Sequence, residues 1–121
     1  MSDDTLALQE GENIMAWLQC IPHGFKNVNR IFPTQQSDVK EMIDVCKEDR
    51  NVKKIIIFGS SVTSRCNPWS DIDIYYEFEK EPQKYPSTGS ATAVFDKWDN
   101  FNVNNELLHE IRKNGVVVYE R

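Results

Sequence analysis

A chain of 121 residues has room for one hydrophobic core and excludes a second folded unit of useful size. Its 14 Lys and Arg against 19 Asp and Glu leave a formal charge of −5, which excludes a non-specific grip on nucleic acid or on an anionic membrane. A hydrophobic fraction of 40%, with 11% aromatics, belongs to a globular domain and not to a disordered tail.

In chain order, Ile14, Met15, Leu18 and Ile21 recur at helical spacing with Trp17 beside them, so one helix is expected over residues 6–21, firmest after Gly11. "PHGFKNVNRIFP" follows as a connector, bracketed by Pro22 and Pro33 and anchored by Phe25 and Ile31. Thr34 or Ser37 is expected to cap a second helix whose Val39, Met42, Ile43 and Cys46 form one apolar stripe. "VKKIIIFG" then reads as a central strand buried on both faces, stopped by Gly59.

"DIDIYYEFE" alternates like a half-buried strand, "EPQKYPSTGS" is a polar loop, and "ATAVFDKW" reads as a third strand. Leu107, Leu108 and Ile111 line a short helix begun by one of the Asn residues at 102–105, with Gly115 at the place of a left-handed C-cap. "VVVYE" ends the chain as a strand or extended tail. The irregular spacing of Cys20, Cys46 and Cys66 suits free thiols in a reducing cytoplasm better than a disulfide framework or a zinc site. No stretch approaches the roughly 18 apolar residues that span a bilayer, and the acidic start is the wrong charge for a secretory leader.

Two aspartates placed one residue apart at the start of a strand demand a reason, since aspartate is a poor strand former. Side chains two apart share a face, so Asp71 and Asp73 project together while Ile72, Ile74, Tyr76 and Phe78 supply the core contact. Such a pair suits hard divalent cations, and Mg²⁺ in particular takes a couple of carboxylates and completes its shell with water and phosphate oxygens. Left without a cation, the like charges raise the pKa of one carboxyl. Ten residues upstream, Gly59-Ser60 follows the buried strand at once and leaves backbone N–H groups at a sharp turn where an anionic group can come close. The two features together can present a metal-bound triphosphate.

Gly59-Ser60, ten residues, then Asp71-Ile72-Asp73, preceded by "VKKIIIFG", resembles the signature of the minimal nucleotidyltransferases of the DNA polymerase beta-like superfamily. That family also carries a third carboxylate on a later strand in a Val-Asp-x-Trp-Asp-like context, then a helix and a Gly-Val-x-x-Tyr-Glu ending. This chain has "VFDKWDNF" and "ELLHEIRKNGVVVYE", so Asp96 takes the third position, with Asp99 as the second choice. The resemblance covers about residues 37–121. It departs from the pattern after the Gly-Ser, where many relatives read Gly-Ser-x-Ala-Arg-Gly; here Ser61-Val62-Thr63-Ser64 leaves Arg65 as the nearest cation.

The resemblance implies an α+β nucleotidyltransferase fold, a small mixed sheet with flanking helices, over 34–121, with 1–33 as an N-terminal helical extension. It implies that Asp71, Asp73 and Asp96 serve a two-metal Mg²⁺ site, that Gly59, Ser60, Ser61 and Arg65 hold the phosphates of ATP or another nucleoside triphosphate, and that a nucleoside monophosphate passes to a hydroxyl. Stand-alone members of this kind often act as antitoxins on a HEPN-type toxin, so a protein partner or acceptor is implied. The alternative is an inactive protein of the same fold that neutralises a partner by binding, or that senses nucleotide. His23 and His109 read as surface residues, and Cys66 has no base beside it to make it a nucleophile.

Overall fold

The computed structural model describes residues 16–63, 66, 69–87 and 94–121. A helix α1 (Pro33–Cys46) leads into strand β1 (Val52–Phe58), a 3-10 turn over Gly59–Val62, strand β2 (Ile72–Phe78), strand β3 (Phe95–Asp99), helix α2 (Asn105–Asn114) and strand β4 (Val116–Glu120). The sheet order is β3-β2-β1-β4, with β1 antiparallel to both its neighbours and β3 parallel to β2. This is the mixed sheet with flanking helices that the sequence leads one to expect.

The run Ile55, Ile56, Ile57, Phe58 is continuously apolar because β1 is covered on both sides. Ile55 and Ile57 join Val39, Met42, Ile43 and Cys46 of α1 in the larger core, together with Ile72, Ile74, Tyr76 and Phe78 of β2. Ile56 and Phe58 face the other way, against Tyr75 and Ile111, with Leu107 and Leu108 of α2 packed around them. Full burial of each such side chain contributes about 1.5–3 kcal/mol, so the sheet is clamped between two helices and β2 is held by contacts on both faces.

Several expectations are corrected in detail. Neither Thr34 nor Ser37 caps α1; Phe32 holds the cap position without a side-chain bond and Pro33 opens the helix, where its missing N–H costs nothing. The expected Asn cap of α2 does form, at Asn104, whose side chain accepts from the Leu107 N–H at 2.7 Å. Gly115 is extended (φ −75°, ψ 165°) and not left-handed. Glycine is needed there for space, since a Cβ would run into the Ile111 carbonyl oxygen and Ile56 Cγ2.

The helix expected over 6–21 does not extend over residues 16–21, which carry no helix; its earlier residues lie outside the described ones. Trp17 instead pairs with Asn29, giving its N–H to the Asn29 carbonyl at 2.7 Å and accepting from Asn29 Nδ2 at 2.7 Å. Those long-range bonds satisfy backbone groups that a helix would have paired locally. Of the expected third strand, residues 91–93 likewise lie outside the described ones, and β3 proper begins at Phe95. The three cysteines are free thiols, with Cys46 and Cys66 buried and Cys20 exposed.

Candidate active site

The carboxylates expected to act together are set by strand register. Asp73 lies opposite Phe58 on β1 and beside Asp96 on β3. Neighbouring strands lie about 4.8 Å apart, so paired positions on one face bring their side chains together. Both residues are half-buried on the α2 side of the sheet, the side that also carries Tyr75 and, two residues beyond Asp96, Trp98. Trp98 packs edge-on against Phe58 with ring centroids 5.4 Å apart, which makes an aromatic floor next to the acidic pair. Asp71 stands one residue before β2 and is exposed, so only Asp73 of the two lies within the strand.

The Asp73 carboxyl is pushed above the ordinary aspartate range, first by burial, then by the Asp96 charge, then by that of Asp71. The Asp73 carboxyl therefore senses both neighbouring charges, as a carboxyl beside like charges should. Among the described residues, however, no group of three or more His, Cys, Asp or Glu side chains is drawn close enough to hold a metal ion. The register places Asp73 and Asp96 side by side with Asp71 at the rim; it does not close them into a cage.

Gly59 explains how the chain turns away beneath this pair. Its φ of 76° lies in the left-handed region that favours glycine, and Asp73 Oδ2 occupies the space a Cβ would need. The 3-10 turn that begins at Gly59 is closed by the Thr63 N–H and Oγ1, both donating to the Ser60 carbonyl at 3.0 and 3.1 Å. The first N–H groups of such a turn have no acceptor within it. Ser61 is fully buried, and its Oγ donates to the Asp71 carbonyl at 3.4 Å, which ties the turn to the start of β2. Arg65 lies outside the described residues.

Asp99 belongs elsewhere. It sits on the face of β3 opposite Asp96 and is buried; its Oδ1 accepts from the N–H groups of Phe101 at 2.6 Å and Asn102 at 3.0 Å, and its Oδ2 accepts from Tyr85 Oη at 2.7 Å. Burial first, then this bond, pushes the Tyr85 phenol up to about 12. A carboxylate so fully engaged closes the turn into α2 and is not free for a ligand.

Two buried polar residues escaped the sequence reading, one of which reaches the site. Gln35 and Gln36, in the first turn of α1, are buried. Gln35 Nε2 donates to the Ser70 carbonyl at 2.9 Å, immediately before Asp71. A signal existed, because stepping back four and three residues from Val39 along the apolar stripe lands on these glutamines.

The turn at Gly59-Ser60, the acidic pair across β2 and β3 and the terminal helix and strand all lie within residues 40–121, which match the family model described as Polymerase beta, Nucleotidyltransferase. The chain belongs to that nucleotidyltransferase family. No curated protein matches the chain. Among the described residues no helix is long and apolar enough to cross a membrane.

Proposed function

We propose that the chain is a Mg²⁺-dependent nucleotidyltransferase that moves AMP from ATP onto a hydroxyl of a protein acceptor, with a HEPN-type toxin as the kind of partner. The observation that carries the reading is the pairing of Asp73 with Asp96 over Gly59, whose lack of a side chain leaves room for Asp73 Oδ2. The donor set fits a hard cation: oxygen ligands, mutually repelling, one of them partly desolvated. Asp71, Asp73 and Asp96 are the residues that would hold Mg²⁺, which supplies neutralisation of charge at the α-phosphate and a lowered pKa for the acceptor hydroxyl.

The chain's own groups supply the rest. The N–H groups of the turn at Gly59, Ser60 and Ser61 orient the phosphates, and Arg65, four residues further along the sequence, adds positive charge. Asp96 accepts the proton of the acceptor hydroxyl as its oxygen bonds to the α-phosphorus and pyrophosphate departs. A protein acceptor presents its own hydroxyl to this site.

Incubation with Mg²⁺ and ATP labelled at the α-phosphate, alone and with a candidate toxin, should transfer label to protein and release pyrophosphate. A second reading, a binder that keeps the fold without turnover, draws on the ungathered carboxylates and on Ser61-Val62-Thr63-Ser64 in place of the Arg-Gly pattern. Thermal stabilisation by Mg²⁺ and ATP together, lost in Asp73→Asn, supports an occupied nucleotide site; no shift and no labelled product leave the binder.

A further inference from the structure

The amide of Gln35 joins the first turn of α1 to the residue that precedes Asp71. Its Nε2 donates to the Ser70 carbonyl at 2.9 Å, and from the other side Ser61 Oγ donates to the Asp71 carbonyl at 3.4 Å. The two consecutive carbonyls leading into β2 are thus each held by a buried side chain, one from a helix on the opposite face of the sheet and one from the phosphate-turn segment. The Ile72 N–H then enters the sheet by donating to the Val94 carbonyl at 2.8 Å.

Gln35 is only 3% exposed, and its Oε1 is buried with no hydrogen-bond partner among the described residues. An unpaired buried amide oxygen is costly, and an apolar side chain at 35 would extend the stripe of Val39, Met42, Ile43 and Cys46 without that cost. The bond to Ser70 is what the amide gives in return. Gln36 beside it differs. Its Nε2 donates to the carbonyls of Leu18 at 2.9 Å and Ile31 at 3.0 Å, and its Oε1 accepts from the Cys20 N–H at 2.7 Å, so it fastens the segment before α1 and touches nothing at the acidic pair.

We infer that Gln35 is a positioning residue for Asp71: it fixes the backbone from which the exposed carboxylate reaches a divalent cation, although it sits in a helix on the other side of the sheet. The inference rests on the proposed function for its chemical meaning, since a fixed Asp71 matters where Asp71 is a ligand. Outer residues that orient ligands typically account for about 10–100-fold in affinity or activity.

The test compares Gln35→Met, Gln35→Leu and Gln36→Met in the whole chain. Methionine keeps the volume and removes the donor; leucine, a shorter apolar side chain, removes it as well and adds no charge. Amide hydrogen exchange at Ser70, Asp71 and Ile72 in the metal-free protein should quicken by about tenfold in both Gln35 variants and stay near wild type in Gln36→Met, and Mn²⁺ binding should weaken by about tenfold in the Gln35 variants alone. Should Gln35→Met not fold, Gln35→Leu decides by the same readouts. Unchanged exchange in a folded Gln35 variant, or equal quickening in Gln36→Met, overturns the inference. If the wild-type chain binds no Mn²⁺ while the exchange pattern holds, the cation site falls and the positioning of Asp71 stands.

Discussion

Strand β3 carries Asp96 and Asp99, and the fold treats them in opposite ways. Asp99 is buried and fully engaged, with two backbone N–H groups and the Tyr85 hydroxyl on its oxygens. Asp96 faces the other side of the sheet, beside a second carboxylate whose proton it helps to retain. One acid is bound into a turn by donors that the chain itself supplies. The other is set against its own kind, an arrangement that adds nothing to folding and that a cation would reverse in sign. Under the proposed function, stability and catalysis are thus divided between the two faces of one strand, and a substitution can be assigned to one or the other by which quantity it moves.

The largest contrast should come from Asp73→Asn. Nucleotidyl transfer should fall on the order of a thousandfold, equivalent to about 4 kcal/mol of transition-state stabilisation, while the folded chain is at least as stable as before. Steady-state rates and a thermal melt on the same sample measure both. Loss of the fold together with the rate would erase the contrast. Asp99→Ala should do the reverse, costing about 2 kcal/mol by taking the acceptor from the Phe101 N–H and the Tyr85 hydroxyl while the Asn102 N–H keeps the residue-99 carbonyl, and leaving the Mg²⁺-dependent thermal shift of the surviving folded fraction intact. Urea unfolding gives the first quantity.

Gly59→Ala comes next because it touches both sides of the division. The left-handed backbone strains any other residue by about 1–2 kcal/mol, and the new Cβ displaces Asp73 Oδ2. Stability should drop by that amount, and binding of Mg²⁺ with ATP should drop with it. A variant that is destabilised yet binds normally would show that Asp73 can take another rotamer without cost, and that the close approach of turn and carboxylate is incidental.

Much of this was legible from residue order because the chemistry of sheets is periodic. Ile55 to Phe58 could only be a strand covered twice, and the alternation from Ile72 to Phe78 placed Asp73 opposite the α1 core. The choice of Asp96 over Asp99 needed more. Which of them shares a face with Asp73 depends on how β3 registers against β2, and register is a long-range property that the residues 81–93 between them do not encode. Residues 16–21 misled for a related reason: their apolar period suits a helix, yet their backbone is paired with Asn29 and Gln36, partners too distant in sequence to be read locally. Gly115 shows a third limit, since a glycine after a helix is needed there for clearance from Ile56 and not for a positive φ.

The smallest expected effect is also the most specific to the acidic pair. Asp73 holds its proton to higher pH in the folded chain than in the unfolded one, where its pKa is near the ordinary 3.8. Its contribution to stability is therefore complete below the ordinary aspartate range and is lost as pH rises through the raised value, remaining lost at neutral pH. Asparagine at 73 does not titrate. The difference in unfolding free energy, Asp73→Asn minus wild type, should climb across that acidic window and level off at about 0.5 kcal/mol, a modest step because solvent reaches the half-buried side chain. Because the comparison is a difference, the titration of surface ion pairs such as Lys40 with Asp44 cancels. Repeating it in an Asp96→Asn background should shrink the step more than Asp71→Asn does, in the order in which the two charges act on Asp73, and Asp99→Asn should leave it unchanged. A step of undiminished height without Asp96 would mean that burial and Asp71 hold the proton, and the pairing across β2 and β3 would lose its electrostatic content.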